Sequence, residues 1–409
     1  MACFFFMWQI CPAFFTQLFN EVVVSQTKTE HLGLAQLALA LGGFAIGTGE
    51  FVIMGLLPDV AHGLNSSITR AGDAISSYAL GVVVGAPLIA VLFSRVSRQR
   101  LLIALMGLFA LGNVASALAP GYLSFVLMRF ITGLPHGAFF GVASLVAASM
   151  VPVHQRGKAI GRMMLGLTVA TLLGVPAVSW IGHHLSWQLA FWFVGACAVV
   201  SLLMIIRYVP FSQGDRSAHP LRELTALKKP QVLLTLLTGA TGFGGMFAVF
   251  SYITPTMIHY AGMSEAQIPW VMAAFGLGMI AGSTLGGKFA DWSVRKTIGL
   301  SLLWNIAIMV LFCFLSKYVV TGFLAAFLIG TAGLLIPSLQ IRLMDVAGDA
   351  QTLAAAMNHS ALNMANALGA FLGGVVIDAG YGWVSTAWVG TVLAVMGLII
   401  FLLSLRLKH

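Results

Sequence analysis

Three side chains able to do acid–base chemistry interrupt otherwise apolar sequence: Glu50 in Gly47-Thr48-Gly49-Glu50-Phe51, Arg129, and His136 seven positions further on. A polar group in hydrocarbon is expensive, so each is a functional candidate by default. Arg129 and His136 lie two turns apart on one helical face. Glu50 stands eight positions before Pro58, about 12 Å from that end of its helix, and Arg129 seven after Tyr122, about 10 Å from the same end. At matched depth the two are expected to pair. Arginine keeps its proton, so Glu50 is the member that can bind and release one. Neutralising it would loosen the pair and bias a conformational equilibrium. His136, nearer the midplane, adds an imidazole suited to handling protons near neutrality. His359, Asn358, Asn363 and Asn366 share a later apolar run, where Asn358 and Asn366 read as helix–helix hydrogen bonders.

The elements that hold these groups must be membrane helices. Of 409 residues 59% are apolar and 8% are charged, with a mean hydropathy of +0.96. A soluble domain carries roughly 25% charged residues, and so few cannot cover a soluble surface. The net charge of +9 is an orientation signal here, not a nucleic-acid signal. No Gly-rich Lys-Ser/Thr phosphate loop occurs, which removes ATP-driven pumping within the chain. Cys3, Cys11, Cys197 and Cys313 lack metal spacing and read as small hydrophobes. His183-His184 is too isolated at a span end for a membrane hydrolase, and a receptor would need a signalling domain for which the sequence has no segment.

Apolar runs long enough to cross a bilayer fall at 33–58, 70–93, 101–119, 122–149, 159–183 and 187–206, then at 231–258, 268–290, 297–316, 319–343, 351–378 and 383–405. The expectation is an all-α membrane protein of twelve transmembrane helices in two six-helix bundles, residues 31–206 and 231–409, joined by a linker at 207–230. Residues 1–30 read as an interfacial or poorly ordered appendage. The halves share a rhythm at an offset of 197 positions, as in Leu34 and Gln231 or Tyr122 and Val319, which suggests duplicated units. With both termini cytoplasmic, eighteen of the 21 Lys and Arg fall on the cytoplasmic side.

The loop Gly287-Lys288-Phe289-Ala290-Asp291-Trp292-Ser293-Val294-Arg295-Lys296 resembles the cytoplasmic loop motif of the major facilitator superfamily, with Gly287, Asp291 and Arg295 at its key positions. Gly85 through Arg95, Arg98 and Arg100 is a degenerate sister in which Ser94 stands at the acidic position. Leu127-Met128-Arg129-Phe130-Ile131-Thr132-Gly133 is similar to the fourth-span motif whose arginine is linked to proton transfer. Gly166 through Gly174-Val175-Pro176 resembles the fifth-span antiporter motif, and Ser186-Trp187-Gln188 stands where the family commonly has Trp-Arg. Gly47 to Pro58 and Pro135-His136-Gly137-Ala138-Phe139-Phe140-Gly141 narrow the likeness to the twelve-span drug:proton antiporters, and within them to the arabinose efflux permease subgroup.

The resemblance implies two bundles rocking about a central cavity lined by spans one, four, seven and ten. It implies a transporter, not an enzyme, sited in a bacterial-type inner membrane. Such a protein would work as a monomer without cofactor, bind a small organic substrate and be driven by protons. On the 197-residue offset the counterparts of Glu50, Arg129 and His136 are Phe247, Ala326 and Gly333, so charge is confined to one half. Phe139, Phe140, Phe243, Phe247 and Phe250 are expected along the cavity and favour hydrophobic compounds, whereas the subgroup points to sugars. A sugar or metabolite facilitator without proton coupling is the alternative.

Overall fold

The computed structural model describes residues 31–93, 95–152, 155–211, 229–347 and 351–406. The expected appendage 1–30, Ser94 and linker residues 212–228 lie outside them. The described chain is helical, as its continuous apolar runs require. Span one is Leu32–Gly55, continued by the short helix Leu57–Gly63; spans two to four are Ile68–Leu92, Arg98–Ala117 and Tyr122–Ser149. Span five runs from Arg156 to His184 through a π-turn at Ala170–Gly174, and span six is Trp187–Tyr208. Span seven comes in three pieces, Pro230–Gly242, Gly244–Phe250 and Ile253–His259. Span ten passes through a 3₁₀ turn at Thr331–Leu334, span eleven is Gln351–Val376, and span twelve is Ser385–Arg406.

Spans eight and nine depart from the expected boundaries. Among the described residues eleven helices are long and apolar enough to cross a membrane, because Ile268–Leu315 is continuous apart from one extended residue, Ser293. No separate loop occupies 290–297. Ser293 turns the chain back on itself: Gly282 before it and Trp304 after it both reach Thr331 of span ten. Its hydroxyl accepts from Lys296 N, capping the second leg, and the Thr297 hydroxyl donates to its carbonyl at 2.8 Å. Ser97 caps span three in the same way through Arg100 N.

The repeat is visible in the packing. A Cβ on Gly81 would overlap the Phe130 carbonyl, and one on Gly278 the Phe327 carbonyl; Gly133 meets the Tyr78 carbonyl and Gly330 that of Phe275; Gly85 meets Leu134 and Gly282 meets Thr331. Every one of these pairs is related by the offset of 197. Spans two and four, and eight and ten, therefore approach backbone to backbone at small residues, the usual solution where no hydrophobic effect draws helices together.

The two bundles meet most firmly in the half opposite the linker. Among the described residues the hydrogen bonds that cross between them lie there: Ser76 Oγ to Ala367 O at 3.1 Å, Thr254 Oγ1 to Met54 O at 2.8 Å, and Asn366 Nδ2 to Glu50 Oε1 at 3.5 Å. Gly276 of span eight packs on the Thr171 carbonyl in the π-turn of span five, and Gly72 of span two accommodates the tip of Tyr252. Nearer the linker the bundles touch through aromatic rings, with Phe140 on His359.

Candidate functional site

Span one places Glu50 at the seam between bundles because it is glycine-rich where it crosses its neighbours. Gly49 faces Phe109 and Val194 of spans three and six, and Gly47 faces Leu167 and Ala170 of span five. Glu50 itself is 7% exposed and Arg129 fully buried. The expected Glu50–Arg129 ion pair is not formed. A carboxylate–imidazole contact stands elsewhere, Asp59 with His183 at 3.1 Å.

Instead each group is held by a different partner. Arg129 Nη2 donates to the carbonyl of Gly49, the residue before Glu50, at 3.0 Å. The guanidinium lies 4.3 Å over the Tyr78 ring and 5.6 Å from that of Phe191. A planar delocalised cation stacks well on aromatic faces, and these rings keep Arg129 within the N-terminal bundle. Glu50 is turned across the seam toward Asn366 of span eleven. The arrangement sets a buried carboxylate one residue from a buried guanidinium without joining them. Nε and Nη1 of Arg129 have no hydrogen-bond partner among the described residues.

His136 is 2% exposed, with Nδ1 2.9 Å from the Tyr78 hydroxyl. Tyr78 therefore connects the guanidinium to the imidazole, a role the sequence reading did not give it. A signal was present: its counterpart at the 197 offset is Phe275, so Tyr78 joins Glu50, Arg129 and His136 as a polar residue whose partner half has a nonpolar one. Asn366 does bond between helices as expected, but its partner is Glu50. Asn358 Nδ2 donates to Gln340 Oε1 at 2.6 Å, joining spans eleven and ten.

Four of the five expected phenylalanines stand at or beside the seam. Phe247 and Phe250 contact Phe51 of span one, at 6.3 and 5.8 Å between centroids. Phe250 stacks on Phe275 at 3.6 Å, Phe243 packs edge-on to Phe247, and Phe140 faces His359. Phe139 does not join them. It points into the N-terminal bundle against Gly42, since residues adjacent on a helix face different ways.

The motif positions divide between packing and surface. Gly85 is buried against the Leu134 carbonyl; a Cβ on Gly166 would overlap the Ala40 carbonyl, and one on Gly174 the Thr48 hydroxyl and the Phe44 ring. Pro176 opens the helical segment after the π-turn. Gly287 has open space around it, while Asp291, Arg295 and Arg95 are exposed at the linker side.

A chain of this duplicated helical architecture is matched by a family model described as Major Facilitator Superfamily over residues 39–262 and 246–409. The chain belongs to the major facilitator superfamily. It is a multi-pass membrane transporter of the bacterial inner-membrane type, not an enzyme. The inner membrane transport protein YdhP of Escherichia coli (strain K12) is 41% identical over 373 residues, covering 90% of this chain and 95% of that protein. A chloramphenicol resistance protein of Streptomyces lividans is 30% identical over 367 residues, covering 88% and 94%. Among solved structures, a bacterial homologue of the human lysosomal transporter Spinster superposes with a TM-score of 0.70 at 15% identity, covering 92% of this chain and 98% of that one, a likeness of superfamily fold.

The Arg129 geometry makes a testable statement. In Arg129→Ala, Glu50 is left buried with no neighbouring cation, a state that costs several kcal/mol unless the acid is protonated. Carbodiimide labelling of Glu50, which needs the protonated acid, is expected to persist to more alkaline pH than in the wild type. Arg129→Lys is expected to fall between the two, because an ammonium keeps the charge but cannot both lie flat on Tyr78 and reach the Gly49 carbonyl. Superimposable labelling profiles for all three proteins would show that Arg129 does not govern Glu50.

Proposed function

We propose that this transporter is a proton-coupled exporter of small organic molecules that works by alternating access, with both chain termini and the linker on the cytoplasmic side. The observation that carries this reading is the Glu50–Asn366 contact: a buried, titratable carboxylate of one bundle bonded at 3.5 Å to the other, beside a fixed cation on Gly49 O. A carboxylate accepts a hydrogen bond from an amide more strongly when ionised. Proton uptake by Glu50 thus weakens a contact that exists only when the bundles are closed opposite the linker. A proton gradient then biases the two bundle arrangements, and no cofactor enters the cycle.

The aromatic surface of Phe51, Phe140, Phe243, Phe247 and Phe250 favours apolar, drug-like substrates. The resistance protein among the relatives points the same way, while the subgroup likeness keeps pentoses in the test set. Orientation rests on the lopsided distribution of Lys and Arg. The test is wild-type protein in proteoliposomes offered chloramphenicol, lipophilic cations and arabinose, with and without an imposed pH gradient. The proposal expects at least one compound to be concentrated against its own gradient only when the pH gradient is present. Equal exchange in both conditions, with no concentration, would identify a facilitator instead.

A further inference from the structure

His359, on span eleven of the C-terminal bundle, lies flat on Phe140 of span four, 5.3 Å between centroids and 6° from parallel. It is half-buried, whereas Phe140 and His136 are fully enclosed. The His136 ring, one turn back on span four, is centred 6.4 Å from that of His359. The two imidazoles are neighbours across the seam. On its other side His136 meets the Tyr78 hydroxyl, whose ring carries the Arg129 guanidinium bonded to Gly49 O. Titratable side chains therefore run from the neighbourhood of Glu50 to a half-buried histidine on the opposite bundle.

The groups facing this chain of contacts come from four spans. Span one brings Glu50, span two Tyr78 and span four Arg129 with Phe140. On its own span, Asn363 Nδ2 donates to the His359 carbonyl at 3.1 Å. The polar side chains of span ten are engaged elsewhere, Gln340 with Asn358 and Arg342 with Gln231 and Ser404. His359 and His136 are thus the ionisable pair at this point of the seam.

We propose that His359 is the C-terminal bundle's proton-exchange partner for His136, linking the Glu50 site to water on the linker side while the bundles touch at Phe140. A proton from water enters at His359 and passes to His136 Nε2, the ring nitrogen that Tyr78 does not hold. The proton on His136 Nδ1 moves to the Tyr78 oxygen as the phenol proton leaves toward the Glu50 carboxylate. His136 ends as its other tautomer and Tyr78 remains neutral. When the bundles part at this point, His359 withdraws from His136 and the relay is broken. This relay rests on the proton-coupled reading above.

The experiment uses full-length protein in proteoliposomes, oriented by protease access to the linker, with a fluorescent carbodiimide as probe. Glu50 labelling is followed after an acid step on the linker side. Wild-type labelling is expected to rise promptly. In His359→Phe, which keeps a flat ring on Phe140, the rise should be slower by roughly a hundredfold or more, the usual scale for losing a positioned proton carrier. His359→Gln and His136→Asn should show the same delay, and free imidazole should restore the rate in His359→Ala. Wild-type kinetics in His359→Phe or in His359→Gln would overturn the relay. Because labelling reads protonation and not transport, a chain that shows the His359-dependent delay yet concentrates no solute would overturn the exporter reading alone.

Discussion

Glu50→Gln is expected to abolish concentration of solute driven by a pH gradient while leaving exchange of solute down its gradient in place. The amide is isosteric with the acid and can still accept a hydrogen bond from Asn366 Nδ2, so the seam contact at 3.5 Å has a substitute. What is lost is the ability to change charge. The contact then has one strength at every pH, and a ligand with equal affinity for two states shifts neither. The expected loss is complete for uphill transport and within severalfold for exchange, measured in one proteoliposome preparation with and without the gradient. A Glu50→Gln protein that still concentrates solute would place the coupling group elsewhere in the chain.

The second large effect separates bundle closure from bundle folding. Gly276 of span eight packs on the Thr171 carbonyl and the Leu172 Cα, in the π-turn that interrupts span five. This contact crosses the seam. Overpacking typically costs 1–3 kcal/mol, which on a two-state equilibrium is about 5–150-fold. Gly276→Leu should therefore favour the arrangement open opposite the linker. A cysteine placed at Ser76, now buried at the seam, should react with an impermeant maleimide from that side at least fivefold faster than in the Gly276 background. Gly166→Leu should behave differently. Its Cβ would meet the Ala40 carbonyl and the Phe44 backbone nitrogen inside the N-terminal bundle, a contact present in either arrangement. That variant should lose folding yield and melt several degrees lower, with the maleimide rate of its folded fraction unchanged. An unaltered maleimide rate in Gly276→Leu would remove the seam role assigned to span five.

The repeat was legible in the sequence from the spacing of its apolar runs, as in Leu34 and Gln231; its structural reason, backbone approach at the matched glycines Gly81 and Gly278, Gly85 and Gly282, and Gly133 and Gly330, shows only in the packing. Span number followed from apolar run length. The turn at Ser293 was not legible as a hairpin without a loop, because Asp291 to Lys296 has the polarity of a loop whether or not its backbone stays helical. Glu50, Arg129 and His136 announced themselves as polar residues in hydrocarbon. Their pairing did not follow, since depth along a helix fixes height and leaves rotation free. Arg129 found the faces of Tyr78 and Phe191, and Glu50 found Asn366. Tyr78 escaped notice because an aromatic ring among aromatic rings reads as packing until its hydroxyl is seen on His136.

The central claim is that Glu50 exchanges a proton each time the bundles change arrangement around a solute. Proton movement itself tests it most directly. Proteoliposomes loaded with a pH-sensitive dye and poised with no pH gradient are given a transported solute, and the lumenal pH is followed. The account predicts a proton flux opposite to the solute flux in the wild type, absent in Glu50→Gln under the same solute gradient. Solute movement with no wild-type proton flux, or an undiminished flux in Glu50→Gln, would contradict it.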